Sequence, residues 1–447
     1  MSEKKEFDVV VVGGGPAGYP AAIRAARRGA TVAVVEGARL GGTCLNVGCI
    51  PTKFYCRRSA AGGDADWAEV VAAKTKLVDE LVGGIGFLFE KRGIELVAGR
   101  GVLADPGEVY VGETGDTLAA RKGILYAPGS TTLSLPAFPV DHEAVLDSDD
   151  LVGSPLDFNS LVVVGGGAIG LEWATICRRR GMDVTVVEMM PQVLPGLDAD
   201  VARRLAGLMK RGGVKILTDK KVEALERVEG GVRVTLPEGE VLEADRVLIA
   251  IGRRANIDEE ELGRVGVELE RHRIKINGAM ETTRPGVWAA GDAAGTGPML
   301  AHVATHQGLV AVENILGGDE EMDYDAIPWA VFSAPEAAGV GQSAEEAAGR
   351  GIAAREGRAD YRALGRPRAD GYPDGFVKIL AAEDGGRILG AHALGHNAAE
   401  IVQVVSAAMA CGATVDEMSK FIAIHPTYGE LVAEALEDWQ GIATHKP

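Results

Sequence analysis

Two runs of consecutive apolar residues stand out along the chain. Residues 8–12 read Asp-Val-Val-Val-Val, and residues 161–164 read Leu-Val-Val-Val. Uninterrupted runs of this kind predict strands buried on both faces, as in a parallel sheet. Each run ends in a glycine cluster, Gly13-Gly14-Gly15-Pro16-Ala17-Gly18 in the first case and Gly165-Gly166-Gly167-Ala168-Ile169-Gly170 in the second. A helical stretch and a second valine-rich strand follow each cluster and end in Glu36 and Glu188. In both copies the acidic residue lies 18 positions beyond the last motif glycine. The chain therefore contains one internal repeat, two βαβ units of the dinucleotide-binding kind. Pro20 falls in the first turns of the first helix, where early N–H groups lack partners, so it is tolerated there.

Further elements follow from the same patterning. Residues 67–92 carry helical spacing through Trp67, Val70, Val71, Leu77 and Leu81. Residues 94–126 predict short strands separated by Gly and Pro turns. The stretches 247–252 and 287–292 each predict a strand, the first ending at Gly252 and the second at Asp292. Residues 327–447 mix strands (376–380, 387–394) with helices (398–411, 429–437). The fold class is α/β: two Rossmann-like units followed by a C-terminal α+β domain.

Composition narrows the function. The 447 residues are 47% hydrophobic and 25% charged, the balance of a globular protein with room for two or three domains. The formal charge of −18 argues against nucleic-acid or anionic-membrane binding. The N-terminal residues show no signal-peptide pattern, and no stretch is long and apolar enough to span a membrane. Five cysteines are too few for a secreted disulfide scaffold, so a cytoplasmic location is expected. No Cys/His spacing points to a metal.

The glycines have specific tasks. Gly13 and Gly165 make tight turns, and Gly15 and Gly167 let backbone approach a pyrophosphate. Gly18 and Gly170 let helix and strand pack closely. Glu36 and Glu188 suit ribose hydroxyls. The second chemical signal is Cys44-Leu45-Asn46-Val47-Gly48-Cys49-Ile50-Pro51. Two thiols at this spacing can cycle between dithiol and disulfide if the intervening segment bends, and Gly48 permits a bend. Pro51 suits a first helical turn, which puts Cys49 at a helix N-terminus, where a thiolate is favoured. Cys177 and Cys411 lie on apolar helical patterns and are expected in the core. Cys56 is expected to be a packing residue, and His306, His392 and His396 surface or structural histidines.

These motifs, in this order, resemble the flavin-dependent pyridine nucleotide–disulfide oxidoreductases, most closely the branch that oxidises dihydrolipoyl groups. The resemblance rests on the first glycine motif, the Gly41-Gly42-Thr43-Cys44 to Lys53 run, and Gly170-Leu171-Glu172. It continues through Ala250-Ile251-Gly252, Gly291-Asp292, Pro298 to His302, and His425-Pro426-Thr427-Tyr428-Gly429-Glu430. It implies that FAD is bound through Gly13, Gly15, Gly18 and Glu36, with Gly101, Gly129 and Ser130 in the same cofactor-binding set. It implies that Lys53 lies beside the flavin and pairs with Glu172, that Asp292 contacts the ribitol–pyrophosphate region, and that Met299, Leu300, Ala301 and His302 offer backbone near the flavin. NAD is implied at Gly165, Gly167, Gly170 and Glu188, with Val222 and Gly252 lining that site. Cys44 is implied as the interchange thiol and Cys49 as the charge-transfer thiol. His425 is implied as the general base, oriented by Glu430, and an imidazole that takes protons near neutral pH suits thiol–disulfide exchange. The implied domains are 1–145 (FAD, first part), 146–270 (NAD), 271–326 (FAD, second part) and 327–447 (dimerisation). The implied partners are a second copy, giving a homodimer whose His425 reaches the other subunit's cysteines, and a lipoyl-bearing carrier protein or domain.

Rival readings have discriminating residues. A glutathione-type reductase using NADPH wants basic residues after the second strand, but the chain has Glu188-Met189-Met190. A mercuric-type enzyme carries a C-terminal cysteine pair, and residues 412–447 contain none. A non-catalytic flavoprotein subunit would not need the thiol pair or the His–Glu pair. Three departures from the family pattern are visible. Ala127-Pro128-Gly129 replaces Ala-Thr-Gly, Tyr428-Gly429 replaces Leu-Ser, and the segment between Lys53 and Trp67 is short.

Overall fold

The computed structural model describes residues 4–60, 66–104, 107–295 and 297–446. The first apolar run forms strand Lys4–Val12, parallel to Val32–Glu36 on one side and Asp116–Tyr126 on the other. Glu95–Ala98 and Val287–Ala289 extend the parallel part, and Gly101–Leu103 and Glu108–Val111 close one edge antiparallel. Val9, Val10 and Val11 are fully buried, as the uninterrupted apolar run requires. Asp116–Tyr126 is longer than the short strands expected over 94–126.

The second run repeats this plan. Its sheet runs Lys215–Leu217, Asp183–Val187, Ser160–Val164, Arg246–Ile249 and Val145–Leu146, all parallel. The two units match down to single hydrogen bonds. Gly13 N–H donates to Val35 O, and Gly165 N–H to Val187 O, both at 2.8 Å. Gly13 and Gly165 take φ of +98° and +107°, the left-handed region that only glycine enters freely. A Cβ on Gly18 would stand 1.8 Å from Gly13 O, and one on Gly170 would stand 2.1 Å from Gly165 O. Helix and strand therefore meet at glycine spacing in both units.

The C-terminal residues build an antiparallel sheet in the order Pro328–Val331, Glu336–Gly341, Ile388–Gly395, Phe376–Ala382, Ala354–Asp360. Helices Ala398–Ala410 and Glu430–Gln440 pack on it through Ile401, Val405, Leu431 and Leu436. A buried ion pair, Lys378 with Asp198 at 2.7 Å, ties this sheet to the second unit. Cys177 is buried as expected. Cys411 is not, because it lies just beyond the helix end at Ala410, where the apolar stripe has run out, and it is exposed. The shortened stretch after Lys53 includes residues 61–65, which lie outside the described residues.

Candidate active site

The thiol loop is shaped by glycines and one amide. Gly41 and Gly42 take positive φ and start the short helix Gly42–Asn46. The Asn46 side-chain amide donates to Leu40 O at 3.0 Å and Gly42 O at 2.9 Å, which staples the turn. Gly48 does not use its left-handed freedom. Its task is proximity, since a Cβ there would stand 3.0 Å from Thr43 O and 3.3 Å from the Cys44 Cα. The next helix begins at Cys49 and runs to Ala60, with Pro51 in its first turn.

Cys44 and Cys49 are half-buried, in the dithiol form, and hydrogen-bonded to each other. They are electronically unequal. The bond from Cys44 lowers Cys49 to about 7, with Lys53 adding to the effect against the opposing cost of burial. Cys44 is pushed well above the usual thiol range by the same bond and by burial. The pair therefore holds one proton on Cys44 and one negative charge on Cys49 near neutral pH. Lys53 Nζ lies 3.0 and 2.8 Å from the two Glu172 oxygens, and Glu172 Oε1 also accepts the Phe332 N–H at 3.0 Å. Burial alone would lower the Lys53 ammonium, but Glu172 outweighs it and holds it above the usual range.

These groups face a cavity of about 1120 Å³. It extends from Glu36 at the end of the first unit to Cys49, Lys53 and Glu172, and Gly13, Gly15 and Gly101 line it on the way. Gly129, Ser130, Asp292, Met299, Leu300 and Ala301 line it as well. Gly18 does not, because it is packed against the Gly13 carbonyl. His302 is turned away, with Nε2 2.7 Å from Pro328 O. The helix Ala301–Ile315 starts without a side-chain cap, so its first N–H groups are available to an anion, whereas Gly18 and Tyr19 at the start of helix Gly18–Arg27 both donate to Gly15 O at 3.0 Å. A long cavity with a carboxylate at one end, a free helix N-terminus between and a thiol pair at the other fits FAD.

One lining residue, Arg253, and one buried support behind the lining, Gln307, carry no clear sign in the sequence. Arg253 Nε donates to Ser130 Oγ at 2.8 Å and its Nη2 to Ser130 O at 2.9 Å, while Ser130 Oγ donates to Asp292 Oδ2. Buried Gln307 accepts the Gly291 N–H beside Asp292 at 2.8 Å. Gln307 lies on an apolar helix pattern and gives no local sign of this contact. The arginine pair after Gly252 was a visible but ambiguous signal.

The second unit presents a matching cradle. Helix Ala168–Arg179 begins at Gly167 without a side-chain cap, and a Cβ on Gly167 or Gly252 would meet nothing within 4 Å. Glu188 accepts the Gly166 N–H at 2.7 Å and the Met190 N–H at 2.8 Å, as Glu36 accepts those of Gly14 and Ala38. These residues fit a second dinucleotide. Val222 does not line the cradle with its side chain, which is buried against the sheet with Val164, Val187 and Val247.

His425 and Glu430 meet as a pair, with Nδ1 2.9 Å from Oε1. The other Glu430 oxygen accepts the Thr427 N–H at 2.9 Å. Partial burial would raise Glu430, but these bonds hold it below the usual carboxylate value. The imidazole is 78% exposed and absent from the thiol cavity, whose lining reaches no further along the chain than Ala330.

Comparisons with known proteins agree with this geometry. Residues 7–308 match the pyridine nucleotide-disulphide oxidoreductase family, and residues 327–436 match its dimerisation domain. The chain belongs to this family of oxidoreductases and carries its dimerisation domain. It is 35% identical to dihydrolipoyl dehydrogenase 3 of Pseudomonas aeruginosa, with 98% of this chain and 99% of the relative covered. It is 36% identical to dihydrolipoyl dehydrogenase of Thermus scotoductus, with 99% of each covered. Among solved structures, LpdA from Mycobacterium tuberculosis superposes with a TM-score of 0.90 at 28% identity, covering 97% of this chain and 99% of that one. No helix among the described residues is long and apolar enough to cross a membrane.

Proposed function

We propose that the protein is an FAD- and NAD-dependent dihydrolipoyl dehydrogenase. The observation that carries this reading is the asymmetry of the thiol pair, a protonated Cys44 next to a Cys49 lowered to about 7 with Lys53 beside it. In the oxidised protein, His425 of the partner subunit takes a proton from one thiol of the dihydrolipoyl group. The resulting thiolate attacks Cys44 Sγ, the Cys44–Cys49 bond breaks, and Cys49 leaves as a thiolate. A thiol of low pKa is the better leaving group, so Lys53, which lowers Cys49, favours this direction. The second substrate thiol then attacks the mixed disulfide and gives its proton to the histidine as the histidine passes the first one on, which closes the lipoyl ring and releases Cys44. The protonated histidine supplies the proton that Cys44 keeps. Glu430 fixes the imidazole tautomer and stabilises the imidazolium. Bound FAD would supply two-electron transfer from the reduced pair to NAD⁺.

The cofactor-binding assignments are part of this proposal, with Gly18 acting through helix–strand packing and no side-chain role for His302 or Val222. So are the four-part domain division, the homodimer, the cytoplasmic location and the lipoyl-bearing partner. The test is steady-state oxidation of dihydrolipoamide by the full-length, FAD-loaded protein with NAD⁺. Cys44→Ser and Cys49→Ser should each abolish it, and Cys44→Ser alone should show long-wavelength thiolate–flavin absorbance without reductant. Faster turnover of glutathione disulfide with NADPH would overturn the reading.

A further inference from the structure

Tyr428 stands between the base and its carboxylate in sequence, and it is a departure from the family pattern. The turn 425–430 carries an imidazole that is largely in solvent and held by one bond, to Glu430. Where that imidazole points is therefore set by the backbone of the turn. Thr427 secures one side, its N–H bonded to Glu430 and its hydroxyl donating to Ile424 O at 2.7 Å. A second, separate set of contacts is made by Tyr428, which is 7% exposed. Its phenol donates to Asp370 Oδ2 at 3.1 Å, and Arg366 Nε donates to the same oxygen at 2.7 Å. Arg366 also reaches back to Pro426 O at 3.5 Å, closing a loop through the turn. The Tyr428 ring packs against Tyr361 and His396 at centroid distances of 5.7 and 5.5 Å, and His396 is itself stacked on Tyr372 at 4.1 Å.

We propose that Tyr428 is a positioning residue for the His425 base, with its Asp370-bound phenol bracing the turn independently of Glu430. The proposal deepens the dihydrolipoyl dehydrogenase reading and rests on its assignment of His425. The groups facing the phenol are Asp370, Arg366, His396, Tyr361 and Tyr372, and none belongs to the dyad. Burial and Asp370 push the phenol up to about 12, so it stays neutral across the working range and acts by geometry. A general base works only when aimed, and small misplacements are costly in rate.

The test uses Tyr428→Phe in the full-length, FAD-loaded protein, which removes the hydroxyl and keeps the ring. The kcat for dihydrolipoamide oxidation should fall about 2- to 10-fold, the range of one net hydrogen bond, with a smaller change in KM. The second readout needs no lipoyl substrate. In dithiol-reduced protein, the pH profile of Cys44 alkylation by iodoacetamide, followed by mass spectrometry, should move to higher pH because the imidazolium is less well placed beside the sulfur. An unmoved profile in folded, dimeric Tyr428→Phe overturns the proposal. If that variant does not fold, Asp370→Asn decides in the same way, since it weakens the same anchor at a surface position. Wild-type protein that fails to oxidise dihydrolipoamide would sink the proposed reaction, while a shifted alkylation profile would still uphold the role of Tyr428.

Discussion

Lys53 Nζ lies 2.8 Å from Glu172 Oε2, and this contact joins the helix that begins at Cys49 to the helix that begins after the second glycine turn. The pair acts on Cys49 with opposite signs, Lys53 lowering its pKa and Glu172 raising it. Lys53→Met should therefore raise the Cys49 pKa above about 7, and Glu172→Gln should lower it further. The pH titration of thiolate–flavin absorbance in reduced protein reads both. Shifts in the same direction would contradict the arrangement. Lys53→Met also strands a buried carboxylate, at a cost of about 3 kcal/mol. That is the low end for a broken buried pair, because Lys53 is one-third exposed.

The unequal thiols make the stability of the reduced protein depend on pH. Cys49 is lowered from an ordinary value near 9 to about 7. Between those values the unfolded chain holds a proton that the folded one has lost, so stability rises with pH. The contribution is complete by about pH 9 and lost as pH falls through 7. Above 9 the sign reverses, because Cys44 is raised in the folded state and stays protonated while the unfolded thiol ionises. Urea denaturation of dithiol-reduced protein should show a gain of about 1–3 kcal/mol from pH 6.5 to 9 and a decline beyond. Cys49→Ser should remove the gain. A flat profile in the reduced wild-type protein would refute the thiolate assignment.

Glu188 should enforce a preference for NAD⁺ over NADP⁺. Its oxygens are fixed by the Gly166 and Met190 N–H groups, which leaves a negative charge where a 2′-phosphate would sit. The preference in kcat/KM is expected to be about 100-fold or more, the scale of a charge-assisted hydrogen bond exchanged for a repulsion. Glu188→Gln keeps the shape, removes the charge and should shrink the ratio. Comparable efficiencies with both nucleotides in the wild type would contradict this role.

The legible parts of the molecule are those with a local or periodic cause. The valine runs announced buried parallel strands, and the equal spacing from Gly18 to Glu36 and from Gly170 to Glu188 announced two copies of one unit. Pro51 marked the helix start at Cys49. Other features arise only when distant segments meet. Arg253 bonds Ser130, 123 residues away, and nothing near either residue encodes the contact. The Val222 side chain is packed in the core among Val164, Val187 and Val247, a placement set by strands distant in sequence. The His302 imidazole bonds the Pro328 carbonyl, 26 residues away, a contact that nothing near either residue encodes. Tyr428 is visible in the sequence as a departure from the family pattern, but its bond to Asp370, 58 residues away, is not.

The position of His425 leads to the last prediction. It forms its dyad with Glu430 but faces outward, with Ile422 and Ile424 also 93% and 77% exposed nearby in sequence. The thiol cavity of the same chain draws no residue from that region. Outward apolar side chains beside an outward base are what a subunit interface would cover. His425→Gln should lower dihydrolipoamide oxidation about 10²- to 10⁴-fold, the usual weight of a general base, and largely spare electron exchange between NADH and FAD. Hybrid dimers give the sharper result. A His425→Gln subunit retains Cys44, and a Cys44→Ser subunit retains His425. If the site is shared, each hybrid has one complete site, made of Cys44 from the first subunit and the partner's His425. Mixed, refolded and purified hybrids should then recover activity that neither parent has. If the base served its own subunit, both sites of every hybrid would be incomplete and no activity would return. Inactive hybrids of verified composition would rule out the shared site, and so would a fully active monomer.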